Sequence, residues 1–499
     1  MEQDFKMVAK TLKGLEGVLA DELRNLGARN VEPGHRMVSF EGDLEIMYKA
    51  NLCCRTALRI LKPFYTFKAN DPDVLYDRVK EFDWASVLSL SKTFAIDSVV
   101  NSDTFTHSRF VTYRVKDAIV DWFRDRFGDK RPGVRLQDAD VLINVHITDE
   151  AVTLSLDSSG ESLHRRGYRV RQTEAPINEV LAAGILLLAG YDGSQPLVDP
   201  MCGSGTFLIE AAMIAANINP GIYRRGFAFE HWKDFDAELL DKLYNDDSNE
   251  RPVTQPIIGR DISPAAIDIA RSNIRSAGLA KYINIGTMAL SQWTQAPAAT
   301  GFIVTNPPYG ERISAPDMDA LYQMLGSKLK HIFTGWQAWI IGYRDEYFQQ
   351  IGLAPSQKIS LLNGALDCEL RQYIIFEGNK RDFRRKGGIL KDESQPAPRF
   401  NKTDRKPRKT GHEPYKKTSA ADNKYHSKKQ PDKKFPLGAT KKPLDANLGQ
   451  TPESDNPLAK RRNPNALLMI QGRTPSLPPQ QGPLMRPKGW RKKNRPSDD

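Results

Sequence analysis

Residues 197–217 read LVDPMCGSGTFLIEAAMIAAN, and the fold follows from how this stretch divides. Leu197 and Val198 close an apolar run, Asp199 and Pro200 stop it, and Gly203 and Gly205 admit backbone conformations that a Cβ would forbid. Phe207, Leu208, Ala211, Ala212 and Ala215 then recur at helical spacing. The pattern predicts a buried strand, a tight turn and a helix in immediate succession. Such a turn lies at the carboxyl end of its strand, where open α/β sheets bind ligands because the loops are free of the core and the next helix points its partly positive N-terminus at them.

Phosphate-binding patterns fit this turn poorly. A dinucleotide fingerprint needs a third glycine where Leu208 stands, and no lysine follows as a P-loop requires. The turn instead has an acid before it, Asp199, and small residues against which a ligand can lie on bare backbone. An aspartate suits an ammonium group, as in an amino-acid moiety, better than a pyrophosphate. In isolation the same residues also describe a tight turn in any α/β protein.

Two further stretches extend the sheet. In PIIGRDISPAAIDIARSNIRSAGL, Ile257 and Ile258 make a short strand, Asp261 ends it, and Ser263 and Pro264 open a helix carrying Ile267, Ala270 and Ile274. An acid there is placed to accept both hydroxyls of a ribose. In GFIVTNPPYGERI, residues 302–304 form another strand, followed at its carboxyl end by Asn306, Pro307, Pro308 and Tyr309. Each signal alone is weak; the three in this order and spacing are specific.

Together DPMCGSG, GRDIS and NPPYGERI resemble motifs I, II and IV of class I S-adenosylmethionine-dependent amino-methyltransferases. From the N-terminus to about Gly378, three quarters of the chain, the sequence is similar to the THUMP-containing RNA guanine-N2 methyltransferases, most closely their large-subunit ribosomal RNA branch. LHRRGYR, EAPINEVLAAGILLLAGY and NGALDCELRQYIIF are further family-like phrases. The resemblance implies a Rossmann-like, mostly parallel seven-stranded sheet with a reversed strand at one edge, preceded by an α+β ferredoxin-like and THUMP RNA-binding region. It implies S-adenosylmethionine as cofactor, contacted by Asp199, Pro200, Cys202, Gly203, Ser204, Gly205 and Thr206 near the methionine part and by Asp261 and Ile262 near the ribose. It implies catalysis by Asn306, Pro307, Pro308 and Tyr309. Where such enzymes commonly carry an acid for the adenine amino group, YINIGTMALSQW offers Thr287 and Met288. Some relatives carry a second methyltransferase domain after the first; here a basic tail stands in its place.

Length and composition set the frame. The 499 residues suffice for two to four domains with large cores. No run of eighteen or more apolar residues exists, and MEQDFKMVAK lacks an apolar export signal, so the chain is expected in the cytoplasm and off the membrane. Cys53, Cys54, Cys202 and Cys368 lack C-x-x-C pairing, so reduced thiols and no metal are expected, with Cys202 a packing choice. The net charge of +11 is uneven. Residues 380–499 hold 31 Lys and Arg against 12 Asp and Glu, leaving 41 against 49 before them. Rich in Pro, Lys, Arg, Asn, Gln and Ser, that segment reads as a disordered basic tail suited to sequence-independent contact with phosphates.

The expected domains are residues 1–42, a ferredoxin-like piece; 43–158, the THUMP domain; 159–379, the methyltransferase; and 380–499, the tail. In the first, strands flank a helix through Leu15, Leu19 and Leu23; in the second, helices at 44–51, 74–82 and 110–127 alternate with strands at 56–61, 93–100, 142–147 and 151–156. Arg109, Arg114 and Lys116 on the third helix, and Arg165, Arg166, Arg169 and Arg171 interleaved with Tyr168, suit phosphate pairing and base stacking, or a charged linker face. Phe227, Phe229, Trp232 and Phe235, in an insertion after the first sheet unit, read as core rather than a stacking platform. The closing strands are expected at 358–362 and 371–376.

An exocyclic guanine amine is a poor nucleophile, its lone pair delocalised into the ring, so catalysis by these residues rests on geometry. The Asn306 side-chain oxygen and the Pro307 carbonyl can each accept one amine hydrogen, prolines fix the backbone without a competing N–H, and Tyr309 can stack on a flipped-out base. RNA is the expected partner. The same NPPY arrangement serves adenine-N6 methylation and transfer-RNA guanine-N2 methylation, and a ribosome-assembly factor without turnover is a further reading.

Overall fold

Apolar alternation along FKMVAK buries Met7 and Ala9 while their neighbours stay partly exposed, the mark of a strand with one face on a core. The protein, a computed structural model, is described for residues 4–308, 315–378 and 385. The N-terminal half supplies β1 (Phe5–Lys10), β2 (Arg29–Gly34), β3 (Met37–Gly42), β4 (Arg59–Lys68), β5 (Thr93–Asn101), β6 (Gly133–Val134), β7 (Val141–Thr148) and β8 (Ala151–Asp157). These form one sheet in the order β2-β3-β1-β4-β8-β7-β5-β6. The ferredoxin-like and THUMP parts therefore share a single sheet. The cause is β4, ten residues long where a six-residue strand at 56–61 was expected: its start pairs with β1, Val8 opposite Leu61, and the rest runs along β8 as far as Lys68 opposite Ala151.

Helices α1 (Glu16–Asn25), α2 (Leu44–Cys53), α3 (Pro72–Glu81) and α4 (Ser108–Phe127) cover this sheet. Asp43 and Asp71 cap α2 and α3, their carboxylates accepting from Ile46 N–H at 3.0 Å and Val74 N–H at 2.9 Å. Along α4, Val111, Val115, Ala118, Ile119, Trp122 and Phe123 form the buried stripe, and Gly128 ends the helix at φ +59.

The C-terminal half contributes α5 (Glu179–Leu188), β9 (Leu197–Asp199), α6 (Thr206–Ala216), α7 (Ala237–Tyr244), β10 (Ile257–Asp261), α8 (Pro264–Ser276), β11 (Ile283–Thr287), β12 (Phe302–Thr305), α9 (Ala315–Ile332), β13 (Gln337–Gly342), α10 (Asp345–Gln350), β14 (Gln357–Asn363) and β15 (Leu366–Ile374). The sheet order is β11-β10-β9-β12-β13-β15-β14, parallel from β11 to β13. β15 is the reversed strand, and it lies one place in from the edge, between β13 and β14. The hairpin is tighter than expected because Asn363 pairs directly with Leu366, with Gly364 at φ +62 at the first central position of a two-residue turn. Alternate strand residues serve opposite layers: Leu197, Phe302 and Val304 face the layer that contains α5 and α6, while Val198 and Ile303 face that of α9 and Trp336. Among the described residues no helix is long and apolar enough to cross a membrane.

Buried arginines fasten the two halves and the linker between them. Arg55 donates to the carbonyls of Met213 and Ile218, and Arg224 to those of Ser159, Glu161, Ser162 and Arg165. The insertion after α6 also packs onto the N-terminal core: Phe229 stacks on Tyr48 with ring centroids 4.2 Å apart, and Phe227 and Trp232 are buried with it. Their burial excludes base stacking.

Candidate active site

The turn after β9, the acid ending β10 and the NPP run after β12 emerge at one rim, because β9 lies between the other two strands in parallel register. Gly259 of β10 stands opposite Asp199, and Ile303 of β12 opposite Val198. Side chains then tie the three loops. Thr305 Oγ1 donates to Asp199 Oδ1 at 2.9 Å, Met201 N–H donates to the same oxygen at 3.2 Å, and Gly203 N–H donates to Asp261 Oδ2 at 2.9 Å. The other Asp261 oxygen accepts from Ser263 N–H at 2.9 Å, which also fixes the start of α8.

The turn itself needs its glycines. Gly205 has φ +81 and caps α6, and a Cβ there would stand 3.1 Å from that of Ala270. Gly203 has φ +51, and among the described residues nothing lies within 4 Å of where its Cβ would be. That is bare backbone facing open space, as a bound ligand requires. Ile262, 75% exposed, follows Asp261 and adds an apolar surface at the same strand end.

Asp199 is 1% exposed, and burial pushes its carboxyl up to about 7, opposed by the Thr305 and Met201 hydrogen bonds and reinforced by Asp261. Cys202 is buried, and its thiol is raised well above the usual range by that burial and by Asp199 and Asp261. It is no nucleophile in this state. Pro200 is buried and leads into the turn. Ser204 and Thr206 are buried, their hydroxyls 3.3 Å apart.

At the other loop, Pro307 is buried and Pro308 half-buried. Asn306 Oδ1 is buried and, among the described residues, accepts no hydrogen bond. A buried amide oxygen left open is costly in a finished core and useful in a site that awaits a donor. Tyr309 lies outside the described residues, as does the segment from residue 386 onward. Thr287 ends β11, and Met288 N–H donates to the Asp261 carbonyl at 2.9 Å, which brings a fourth loop to the same rim.

The arginine-rich junction differs from its reading as a phosphate and base platform. Tyr168 is 1% exposed and donates to Glu210 Oε1 at 2.9 Å, so it stacks on nothing from outside. Arg166 is buried between Glu210 and the Leu163 and Arg55 carbonyls. Arg169 is turned onto Glu179, Ser204 and Thr206. On α4, Arg114 is held by Asp73 and the Pro72 carbonyl. Arg165 and Arg171 stay exposed, as does Arg109. Thr305, Glu179 and Asn273 also shape the site, and they lie 106, 10 and at least 69 residues from the partners they hold, separations at which local sequence carries no signal.

Residues 166–372 match the RMKL-like methyltransferase domain, 6–61 the RlmL ferredoxin-like domain and 69–157 the THUMP domain. Over 371 residues the chain is 39% identical to "Putative RNA methyltransferase slr0064" of Synechocystis sp., covering 74% of this chain and 96% of that protein. The crystal structure of SMU.472, "a putative methyltransferase complexed with SAH", matches with a TM-score of 0.68 at 32% identity, covering 76% of this chain and all of that one. The chain belongs to this family of THUMP-containing, S-adenosylmethionine-dependent methyltransferases. It is also 42% identical over 389 residues to "Ribosomal RNA large subunit methyltransferase K/L" of Syntrophotalea carbinolica, and it spans 54% of that protein's length. The family's methyltransferase match opens at Arg166, so Arg169, which holds the turn, lies within it.

Proposed function

We propose that this chain transfers a methyl group from S-adenosylmethionine to the exocyclic N2 amine of one guanine in large-subunit ribosomal RNA. The observation that carries the reading is the buried Asn306 Oδ1, which accepts no hydrogen bond among the described residues, at the sheet rim that also carries Gly203, Asp261 and the exposed Ile262. An amide oxygen in that position suits a donor such as an aromatic amine. The N-terminal sheet, with its THUMP match, supports RNA as substrate, and the name of the Syntrophotalea relative favours ribosomal RNA.

In this reading residues 1–42 and 43–158 hold the RNA, 159–379 carry the transfer, and 380–499 add phosphate contacts. Asp261 accepts from the ribose hydroxyls, Ile262 covers the adenine, and the bare backbone of residues 203–205 lies under the methionine part, with Asp199 as the nearby charge. When bound, S-adenosylmethionine supplies a sulfonium methyl that needs no further activation. Asn306 Oδ1 and the Pro307 carbonyl accept the two amine hydrogens and turn the nitrogen lone pair out of conjugation, while Tyr309 covers the flipped base. Neither acceptor is a base. The amine proton therefore leaves to water after transfer, when the methylated nitrogen is cationic and strongly acidic.

Purified protein, labelled S-adenosylmethionine and protein-free large-subunit RNA test this directly, with mass mapping of the product. One labelled guanine N2 is expected. Label on adenine, or cofactor binding without transfer to any RNA, refutes it.

A further inference from the structure

The linker that leaves the N-terminal sheet does not simply pass the cofactor turn; it is bonded to it at several points. Arg169 donates through Nε to Glu179 Oε1 at 2.6 Å, through Nη1 to Ser204 Oγ at 3.0 Å, and through Nη2 to Thr206 Oγ1 at 3.0 Å and the Ile177 carbonyl at 3.1 Å. Its side chain is 15% exposed and that of Glu179 6%, so the charges meet largely out of water and neutralise each other. At the next two linker residues, Asn273 of α8 closes the other side. Its Oδ1 accepts from Val170 and Arg171 N–H, both at 3.0 Å, and its Nδ2 donates to the Arg171 carbonyl at 2.9 Å and the Ser204 carbonyl at 3.1 Å.

We infer that Arg169 is a positioning residue for the methyl donor: its planar fork fixes Ser204 and Thr206, and with them the left-handed glycines on which the donor lies. The inference rests on the cofactor reading given above. Ser204 sits between Gly203 and Gly205, two residues whose lack of a Cβ leaves the turn many alternative conformations. Contacts from outside the turn select one of these: Asp261 and Asn273 hold its backbone, and Arg169 holds its side chains from a rigid, paired position. A lysine presents its donors at one point, so it can satisfy Glu179 or the hydroxyls and not both. Arg169 touches no reacting atom, and its effect passes through the turn.

The test uses the full chain and S-adenosylhomocysteine as probe, measured by titration calorimetry, with thermal melting and cofactor kinetics alongside. R169K keeps a cation beside Glu179 and is expected to melt near wild type. Its dissociation constant should rise about 10- to 100-fold, as expected when charge-assisted hydrogen bonds that order a site are lost. KM for S-adenosylmethionine should rise by the same factor while kcat at saturating cofactor stays close to wild type. A residue with only a structural role would instead lower the melting temperature and the active fraction, leaving KM unchanged, and that result overturns the inference. If R169K does not fold, the double variant R169Q/E179Q removes both charges of the pair and makes the same comparison; wild-type affinity there also overturns it. No binding of S-adenosylhomocysteine by the wild-type chain would refute the cofactor reading itself, whereas equal binding by wild type and R169K refutes the role of Arg169 alone.

Discussion

Replacing Asp199 by asparagine should flatten the pH dependence of stability, and the size of the effect follows from burial. The carboxyl titrates near 3.8 when free and at about 7 in the folded protein, with burial the first cause and Asp261 adding to it. The folded state thus keeps the proton to higher pH than the unfolded state does. Below about pH 4 the group is neutral in both and stability is at its greatest; as pH rises through about 7, that advantage is lost. At about 1.4 kcal/mol per unit of separation, the whole window is worth about 4 kcal/mol.

Asparagine keeps the Oδ1 that accepts from Thr305 Oγ1 and Met201 N–H, and it never ionises. Between about pH 5 and pH 8, wild type should therefore lose about 3 kcal/mol relative to D199N, or roughly 10 °C in melting temperature for a domain of this size. Denaturation of both proteins across that range, followed by tryptophan fluorescence, measures the difference. If the two stabilities change in parallel, Asp199 is ionised throughout and the burial argument is wrong. D199N should also bind S-adenosylhomocysteine more weakly, since the role proposed for the carboxylate is to face the ligand's ammonium group.

Asn306→Ala should abolish methyl transfer and leave S-adenosylhomocysteine binding within a few-fold of wild type by calorimetry, and equal loss of both would remove the role assigned to the amide. Cys202→Ala should retain methyl transfer, and the wild-type thiol should react with alkylating reagents only slowly at pH 8, because burial and two carboxylates hold it protonated. Truncation after Gly378 removes the 31 basic residues of the C-terminal segment and should weaken RNA binding and flatten its salt dependence in filter-binding assays, with the transfer reaction preserved at low salt.

The rim of the site was legible because each of its residues follows a short apolar run within a few positions. Asp199 after Leu197 and Val198, Asp261 after Ile257 and Ile258, and Asn306 after the strand at 302 all announce strand ends by local pattern. Their placement side by side follows once the strands are parallel neighbours. What was not legible depends on partners far away in sequence. Tyr168 and Arg166 look like nucleic-acid residues in LHRRGYR, and only the approach of Glu210, 42 and 44 residues on, makes them interior. The run from Arg59 gives no local sign that it continues to Lys68 and joins two sheets' worth of strands into one.

That junction has a physical logic of its own. All eleven residues of α6 are buried, so its last carbonyls have no water to receive them and must find donors inside the protein. Arginines from elsewhere in the chain supply them. Arg55, arriving from the N-terminal half, takes the Met213 and Ile218 carbonyls, and Arg251 takes those of Ile214 and Ala215 at 3.1 and 2.9 Å. Cations there also suit the negative end of the helix dipole. The opposite end of the same helix begins at Gly205, in the turn that Arg169 holds. A single buried helix therefore has one terminus completed by the N-terminal half and the other opening from the glycine turn, with Glu210 between them receiving Tyr168 and Arg166 of the linker. The N-terminal half is accordingly part of what gives the methyltransferase half its folded shape, and of the linker arginines Arg166 and Arg169 are occupied in satisfying polar groups of the buried helix and the glycine turn, while Arg165 and Arg171 stay exposed.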